Sequence, residues 1–217
     1  TRLNIYQVGY NVKTWARAAK TVVVDIDPEE LKKPILRADV PVCADAAEFM
    51  QGLLDTTKGK QYRNQTAWLK QCQTWKQKYP VVSPSQEAAE GQVNVYAFMK
   101  KLSTNLPESA ITIVTNGSAS VVGSQSYYIK NGDRFIMNCG LSSMGYGLPA
   151  AIGACVGAGK PVVCIEGDGS VMMNLQELQT MVTNHLPIKL FIINNGGYHQ
   201  IRQTQNNIFH SGLIGVG

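Results

Sequence analysis

The 217-residue chain lacks the features that mark several classes of protein. Its formal net charge of +5 is spread out, with no block of five or six like charges, so a nucleic-acid-binding stripe is not indicated. No apolar run reaches the roughly 18 residues of a membrane-spanning helix, and no signal peptide is recognisable. The three histidines, at 185, 199 and 210, lack zinc-site spacing. We therefore expect neither nucleic acid nor membrane among its partners.

Cysteine is present in an odd number and without paired spacing. The five cysteines lie at positions 43, 72, 139, 155 and 164, and none forms a C-x-x-C pair. Two of them, Cys155 and Cys164, lie in apolar runs. Unpaired core cysteines are typical of proteins in a reducing compartment. The sequence therefore predicts reduced thiols and a cytoplasmic location.

Glycine is abundant, with 20 residues, while aromatic residues make up only 8% of the chain. From about residue 91, amphipathic helical segments alternate with short apolar strands. This alternation predicts an α/β fold with a parallel sheet covered by helices on both faces. The predicted strands are 111–114, 134–137, 162–165 and 190–193, and the predicted helices are 93–102, 148–156 and 175–183.

The sequence pattern of the N-terminal part of the chain predicts a helix, a buried strand and a second helix. The amphipathic stretch 12–20 comes first, the strand 21–26 follows, and Asp27 is placed to cap a helix whose first residue is Pro28. These elements cannot bury both faces of the strand. We therefore expect residues 1–57 to be the tail of a central α/β domain whose beginning is absent.

Residues 58–90 are rich in Lys, Gln and Thr and predict a helical linker. A stripe of larger side chains at helical spacing is expected to pack as core, and consists of Trp68, Leu69, Cys72, Trp75 and Tyr79. The remaining residues, 91–217, form the third predicted part. The predicted organisation is thus 1–57, 58–90 and 91–217.

Two turns that follow neighbouring apolar strands carry the polar residues of interest. The first turn is Gly-Asp-Gly-Ser at 167–170, and the second is Asn-Asn-Gly-Gly at 194–197. The helix between them, 175–183, is predicted to have Asn174 as its N-cap. Because ligands of parallel sheets bind beyond the carboxyl ends of the strands, both turns are expected at one binding edge.

The residue types in these turns suit a Mg²⁺ ion that carries a diphosphate. Such an ion prefers six oxygen ligands. Asp168 offers a carboxylate, Asn195 an amide oxygen and Gly197 a main-chain carbonyl. Adjacent parallel strands lie about 4.8 Å apart, which brings two strand-end turns within reach of one ion. Each turn alone is most often only a turn, so the prediction depends on the pair.

Four segments resemble known proteins. GDGSVMMNLQELQTMVTNHLPIKLFIINNGGYH resembles the signature of thiamine-diphosphate (ThDP) enzymes, which opens with GDG and closes with NN. GLSSMGYGLPAAIGA, at 140–154, is similar to the cofactor-cradling segment of acetolactate synthase-like enzymes. DIDPEEL and DVPVCADAAEF are similar to the end of their central domain. The resemblance covers most of 92–210 and implies a ThDP-binding fold preceded by a truncated piece of a central domain.

The resemblance implies roles for individual residues. Asp168, Asn195 and the Gly197 carbonyl correspond to the metal ligands. Met144 corresponds to the apolar wedge that bends the cofactor into a V shape, and the Ser142 carbonyl would accept a hydrogen bond from the aminopyrimidine. The diphosphate cradle would consist of Ser118, Ala119, Ser120, Gly169 and Ser170.

The family's chemistry is decarboxylation of 2-keto acids, with or without carboligation, by ThDP and Mg²⁺. The resemblance implies a homo-oligomer whose active site lies at a subunit interface and needs a glutamate from a pyrimidine-binding domain. We find no such domain in these 217 residues, and the sequence ends before the last strands expected. The isolated chain is therefore expected to be inactive. The resemblance allows FAD in a longer protein, but no residue here supports one.

The segment after the Asn pair departs from acetolactate synthases. Where those enzymes carry Gly, Met and a later Trp, this chain has His199, Gln200 and Thr204. A substrate-facing imidazole would indicate a different or more polar substrate and make His199 a candidate catalytic residue. His199 is otherwise a surface histidine.

Two other functions fit parts of the sequence. A nicotinamide oxidoreductase is suggested by the G-x-G-x-x-A pattern of 145–150 and by Asp168 at the end of the next strand. Against it, residues 138–144 separate the glycines from the preceding strand. A non-catalytic assembly module is suggested by a stripe of small residues in helix 148–156 and just beyond it: Ala150, Gly153, Ala154 and Gly157.

Overall fold

The computed structural model describes residues 3, 8–33, 38–88, 90–210 and 212–216. The chain divides into two compact units, one within residues 1–71 and one within residues 72–217. In both units the described strands are parallel and are accompanied by helices. None of the helices in the described part of the chain is long and apolar enough to cross a membrane.

The first unit contains a two-stranded parallel sheet. Its elements are β1 (Val22–Asp25), α1 (Pro28–Leu31), β2 (Val40–Cys43) and α2 (Ala46–Thr57). Asp27 caps α1 as predicted, because its carboxylate accepts a hydrogen bond from the Glu29 N–H at 2.9 Å. The β2 strand was not predicted. The expected burial of β1 is wrong in part, since Val22 is 55% exposed.

The predicted helix at 12–20 is also wrong. Only a three-residue 3₁₀ turn forms there, at Val12–Thr14. Ala16 adopts a positive φ of 45°, which a right-handed helix cannot accommodate. The amphipathic spacing was therefore overridden by the local backbone.

Helix α3 (Thr66–Lys78) forms within the predicted linker and spans the boundary between the two units. The expectation that its larger side chains pack as core is contradicted. Trp68 is 55% exposed and Trp75 is 44% exposed, and α3 has no buried residue. Helical spacing of apolar side chains thus predicted the helix correctly but not its burial.

The second unit is built on a four-stranded parallel sheet with the order β4-β3-β5-β6. Its strands are β3 (Ile111–Val114), β4 (Arg134–Met137), β5 (Val162–Gly167) and β6 (Ile188–Ile193). Its helices are α4 (Pro84–Glu87), α5 (Val95–Asn105), α6 (Gly117–Ser126), α7 (Gly147–Ala158), α8 (Asp168–Val171), α9 (Glu177–Thr183) and α10 (His199–Thr204).

Two apolar clusters form the core on the two faces of this sheet. Val163 and Ile165 of β5 pack on one face with Met99 of α5 and residues of α6. Cys164 packs on the other face, with Ala151 of α7. The chain runs from β3 outward to β4 and then returns to β5 on the other side of β3. The predicted fold class is confirmed, and this reversal of strand order creates a crevice at the carboxyl ends of β3 and β5.

The helix predicted at 175–183 begins later than expected. Helix α9 starts at Glu177, and Asn174 instead ends a 3₁₀ turn at Met172–Asn174. The Asn174 side chain is not the N-cap, because its Nδ2 donates a hydrogen bond to the Gly145 carbonyl at 2.7 Å. A tertiary contact has replaced the predicted local one.

Candidate functional site

The two polar turns lie side by side at the carboxyl edge of the sheet. Gly167, the last residue of β5, is paired with Ile193, the last residue of β6. Asp168 follows the first strand directly, and Asn195 follows the second by two residues. The parallel pairing therefore brings together the two residues that the sequence predicted as metal ligands.

The Asp168 carboxylate joins the turns through main-chain hydrogen bonds. Its Oδ2 accepts from the Asn195 N–H at 3.0 Å and from the Gly197 N–H at 2.8 Å. Its Oδ1 accepts from the Gly169 N–H at 2.8 Å. A carboxylate has about four acceptor positions, two on each oxygen. Oδ2 already accepts two hydrogen bonds, whereas Oδ1 accepts one and keeps a position for a cation. Asp168 thus both shapes the second turn and remains able to ligate a metal.

The side chain of Asn195 lies between this turn and the first turn of α6. Its Nδ2 donates to the Ser118 Oγ at 3.5 Å. Its Oδ1 is buried and has no hydrogen-bond partner within the described part of the chain. Burying an amide oxygen without a partner costs free energy, and a bound ion or water is one way in which a native site satisfies such an atom. A cation would satisfy it.

The start of α6 provides main-chain donors beside Asn195. Asn116 is the N-cap residue but makes no capping bond with its side chain. The first N–H groups of a helix have no partner within the helix and carry partial positive charge, which suits a phosphate group. Ala119 and Ser120 are buried, and Ser120 Oγ donates to the Gly117 carbonyl at 3.1 Å. The Ser120 N–H already donates to the Asn116 carbonyl at 3.4 Å, so the main-chain donors available to a phosphate in α6 are those before Ser120, including that of Ala119.

The Ser170 side chain is hydrogen-bonded inside the protein, although Ser170 was predicted to contact the diphosphate. Its side chain is buried, and its Oγ donates to Glu166 Oε1 at 2.5 Å and accepts from the Gly145 N–H at 2.9 Å. The hydroxyl is thus engaged inside the protein, so a phosphate contact would again use the main chain. Neighbouring Gly169 lies against the Tyr198 ring, and a Cβ there would come within 2.8 Å of that ring.

Glu166 is a buried acidic residue that sequence reasoning missed. It is fully inaccessible and lies at the end of β5, next to the first turn of α7. Burial raises the pKa of Glu166, while hydrogen bonds from Ser170, the Leu148 main chain and Thr115 favour the charged form. Its sequence signal was weak, because Glu166 directly follows the apolar run 162–165 and precedes a polar turn, where an acidic residue is usually exposed.

The loop between β4 and α7 contains Ser142 and Met144. Ser142 has a φ of 53°, a region that is costly for a residue with a Cβ and is often found at functional sites. Met144 is 38% exposed. The loop is fixed at Gly145, whose N–H is bound by Ser170 and whose carbonyl is bound by Asn174. It therefore lies beside the Asp168 turn, as a cofactor shared by both segments would require.

His199 is not joined to this cluster. It begins α10 and is exposed. Among the described residues no hydrogen bond connects it to the two turns. The residue of α10 that contacts the second turn is instead Arg202, which donates to the carbonyls of residues 195–197. Nothing in the sequence pattern identifies Arg202 in advance.

Two further features concern metal clusters and apolar ligands. The described residues contain no group of three or more His, Cys, Asp or Glu side chains that could hold a metal. A metal at the two turns would therefore depend on amide and main-chain oxygens as well as on Asp168. A cavity of about 380 Å³ opens beside Asn194, but it is mostly apolar, with Val93, Val95, Phe98, Phe191, Ile192 and Ile193 in its lining.

The structure also describes the residues that suggested a nicotinamide oxidoreductase and an assembly module. The loop 138–144 separates β4 from Gly145, so the glycines do not form the turn directly after a strand that a dinucleotide fingerprint needs. Of the small residues in α7, Ala150 and Ala154 pack on the sheet of their own unit. Gly153 and Gly157 are exposed, with open space where a Cβ would lie.

Comparison with known proteins identifies the family. Residues 115–215 match the thiamine pyrophosphate (another name for ThDP) enzyme, C-terminal TPP binding domain. The acetolactate synthase large subunit of Parasynechococcus marenigrum is 35% identical over 199 residues, 90% of this chain and 31% of that protein. Acetolactate synthase 2, chloroplastic, of Nicotiana tabacum is 33% identical over 211 residues, 91% of this chain and 30% of that protein.

A bacterial relative gives the same result. The acetolactate synthase isozyme 2 large subunit of Escherichia coli is 31% identical over 201 residues, 91% of this chain and 34% of that protein. The chain thus spans about a third of the length of these relatives. It belongs to the ThDP-dependent, acetolactate synthase-like family and contains that family's C-terminal TPP-binding domain.

Proposed function

We propose that the carboxyl edge of the four-stranded sheet binds the diphosphate of ThDP through Mg²⁺. Asp168, Asn195 and the Gly197 carbonyl would be the protein's metal ligands. The diphosphate would contact the main-chain N–H groups of Ser118 and Ala119 in the first turn of α6 and that of Ser170. The N–H groups of Ser120 and Gly169 would shape the site instead, because they already donate to the Asn116 carbonyl and to the Asp168 carboxylate. The observation that carries this proposal is the buried Asn195 Oδ1, which has no partner among the described residues and belongs to the residue whose N–H binds the Asp168 carboxylate.

The cofactor chemistry fits the rest of the site. When bound, ThDP supplies a nucleophilic carbon and an electron sink for decarboxylation of a 2-keto acid, with or without carboligation. The chain's own part is to bind and orient the cofactor. The main-chain carbonyl of Ser142 and the side chain of Met144 are proposed to contact the aminopyrimidine and thiazolium. Their loop is held next to the Asp168 turn by the hydrogen bonds of Gly145.

The wider context is also a proposal. The relatives are about three times as long as this chain, so a complete enzyme would include further domains. We propose a homodimer in which a glutamate of a pyrimidine-binding domain completes the site, and a cytoplasmic location. The 217 residues alone would then bind cofactor without decarboxylating 2-keto acids. His199 stays a candidate for substrate contact, and FAD has no support from the residues of this chain.

The direct test is metal and cofactor binding to the 217-residue chain. Mn²⁺ can replace Mg²⁺ and reports binding through its paramagnetic resonance spectrum, measured with and without ThDP. Asp168→Asn removes the carboxylate charge but keeps an oxygen for the Asn195 N–H. We expect Mn²⁺–ThDP affinity to fall at least about 100-fold, which corresponds to about 2.8 kcal/mol.

Glu108→Gln is the control, because it removes the same charge from an exposed residue outside the site. It should bind Mn²⁺–ThDP like the unmodified chain. Equal affinity of the Asp168→Asn variant and the unmodified chain would contradict the proposed metal site. Absence of binding to the unmodified chain would contradict the proposed function as a whole.

A further inference from the structure

Arg202 makes an unusual set of contacts with the turn at 194–197. Its Nη2 donates to the Asn195 carbonyl at 2.8 Å, and its Nη1 donates to the carbonyls of Gly196 and Gly197. One guanidinium thus binds three consecutive main-chain carbonyls. The planar fork of an arginine can make several such bonds at fixed angles, whereas a lysine ammonium acts as a point charge.

The N–H groups of the turn are bound by the Asp168 carboxylate and by the Asn194 side chain, whereas its carbonyls are bound by Arg202. Gly196 and Gly197 both have a φ of 80°, and none of the described residues has an atom within 4 Å of where a Gly197 Cβ would be. Fixing the backbone of one residue costs roughly 1–2 kcal/mol of conformational entropy, and glycine loses more than other residues. A turn with two adjacent glycines therefore needs specific contacts to keep a single conformation.

The contacts of Arg202 complement those of Asp168. The Asp168 carboxylate accepts from the N–H groups of Asn195 and Gly197, and the Arg202 guanidinium donates to the carbonyls of the same two residues. The backbone of Asn195 is therefore fixed on both sides. This fixes the point from which the buried, unpartnered Oδ1 extends.

We propose that Arg202 is a positioning residue for the metal-binding turn, which holds Asn195 and Gly197 in the arrangement that a divalent cation needs. The inference deepens the proposed function and depends on it. A carbonyl oxygen has two lone pairs, so the Gly197 carbonyl can accept from Arg202 and still ligate a metal. The positive charge of Arg202 repels a bound cation, whereas its hydrogen bonds hold the metal ligands in place. A test must therefore change the hydrogen-bond geometry of residue 202 and keep its charge.

Arg202→Lys changes geometry at constant charge. The matched control is Arg134→Lys, because Arg134 is exposed and begins β4, at the end of the sheet opposite the site. We expect Arg202→Lys to weaken Mn²⁺–ThDP binding about tenfold, while Arg134→Lys leaves it unchanged. Affinity is measured well below the unfolding temperature of each variant, so that loss of folded protein does not contribute.

Amide hydrogen exchange of the metal-free chain gives a second readout that does not depend on the cofactor. The amides of residues 195–198 should exchange faster in Arg202→Lys than in the control, with β5 unchanged. Unaltered Mn²⁺–ThDP affinity or unaltered exchange in Arg202→Lys would overturn the inference. If the unmodified chain bound no Mn²⁺–ThDP, the proposed function would fail first, and the two failures are thus distinguishable.

Discussion

At the scale of single residues, Ser170 and Glu166 connect two segments that the cofactor would share. The Ser170 hydroxyl binds the Glu166 carboxylate and the Gly145 N–H at the same time. Glu166 in turn is bound by the main chain of Leu148 and by Thr115. A buried polar network that lacks one of its hydrogen bonds destabilises the fold more than an apolar core would. The members of this network therefore depend on one another. This network fixes the loop of Met144 against the turn of Asp168.

Ser170→Ala should therefore be destabilising. It leaves a buried carboxylate oxygen and the Gly145 N–H without their partner, and each unsatisfied group costs roughly 1–3 kcal/mol. We expect the free energy of unfolding to fall by about 2–4 kcal/mol in urea denaturation. Ser124→Ala is the control, since the exposed Ser124 hydroxyl only binds the Val121 carbonyl of its own helix. Equal losses in both variants would show that the network does not contribute.

The buried thiol of Cys164 gives a prediction about pH. Burial, with a smaller contribution from the nearby Glu166, raises the pKa of the Cys164 thiol to about 12, from an ordinary value of 9.0. The folded pKa lies above the unfolded one, so the stabilisation is complete below about pH 9 and is lost as the pH rises toward 12. The unfolding free energy of Cys164→Ala should consequently fall less steeply between pH 9 and pH 11 than that of the unmodified chain. Parallel slopes would contradict the buried protonated thiol.

Thiol labelling of the same protein is an independent check. At pH 8, DTNB should modify the exposed Cys43 and Cys139 rapidly, while Cys155 and Cys164 react only after unfolding. Rapid modification of Cys164 in the folded chain would show that the thiol is accessible.

The role of a single residue could be predicted from the sequence where its partners follow from the local pattern of strands and turns. Asp168 and Asn195 were placed correctly at one edge because strand ends and parallel pairing follow from the apolar pattern. Arg202 was missed because its contacts depend on the path of the chain after the turn, which no local pattern specifies. Glu166 was missed because the predicted strand ended at residue 165, one residue before it, whereas β5 continues to Gly167.

At the scale of elements, the first turn of α7 depends on Gly147. The Glu166 carboxylate and the Thr115 side chain occupy the space where a Gly147 Cβ would lie. Gly147→Ala should lower the free energy of unfolding by about 1–3 kcal/mol through overpacking. Gly153 lies in the same helix with open space around it, so Gly153→Ala should instead raise that free energy by roughly 0.5–1 kcal/mol. Thermal or urea unfolding of the two variants tests the opposite signs.

If both glycine variants changed stability in the same direction, the close packing of α7 on Glu166 would be contradicted. Gly147 is not part of the small-residue stripe predicted for this helix, which consists of Ala150, Gly153, Ala154 and Gly157. Gly147 is small because of packing within the domain, whereas Gly153 and Gly157 have open space beside them.

Elements were predicted well where their pattern was long and regular. Strands β3 and β4 begin and end as predicted, and β5 and β6 extend the predicted cores by two residues each. The start of α9 was wrong because Asn174 binds Gly145 across the site. The helix at 12–20 was wrong because periodicity alone does not stabilise a short helix. The predicted ends of elements were thus wrong where tertiary contacts or local backbone strain outweighed the periodic pattern of apolar residues.

At the scale of the whole molecule, the proposed ligands all lie in one unit. The residues proposed to bind ThDP and Mg²⁺ lie between Ser118 and Gly197, within the unit of residues 72–217. They come from four separate segments that only the folded sheet brings together. A ligand that binds the folded state alone must therefore stabilise this unit, and the first unit has no proposed contact with it.

ThDP with Mg²⁺ should consequently raise the stability of the unit at 72–217 by about 2.7 kcal/mol when its free concentration is 100 times the dissociation constant. Amide hydrogen exchange should slow at residues 117–120, 168–170 and 195–197, with no change in β1 or β2. Thiamine with Mg²⁺ is the matched ligand control, because it lacks the diphosphate that the metal and the start of α6 are proposed to bind. Equal protection by thiamine and ThDP would mean that binding does not depend on the diphosphate, and the two turns would lose their proposed role.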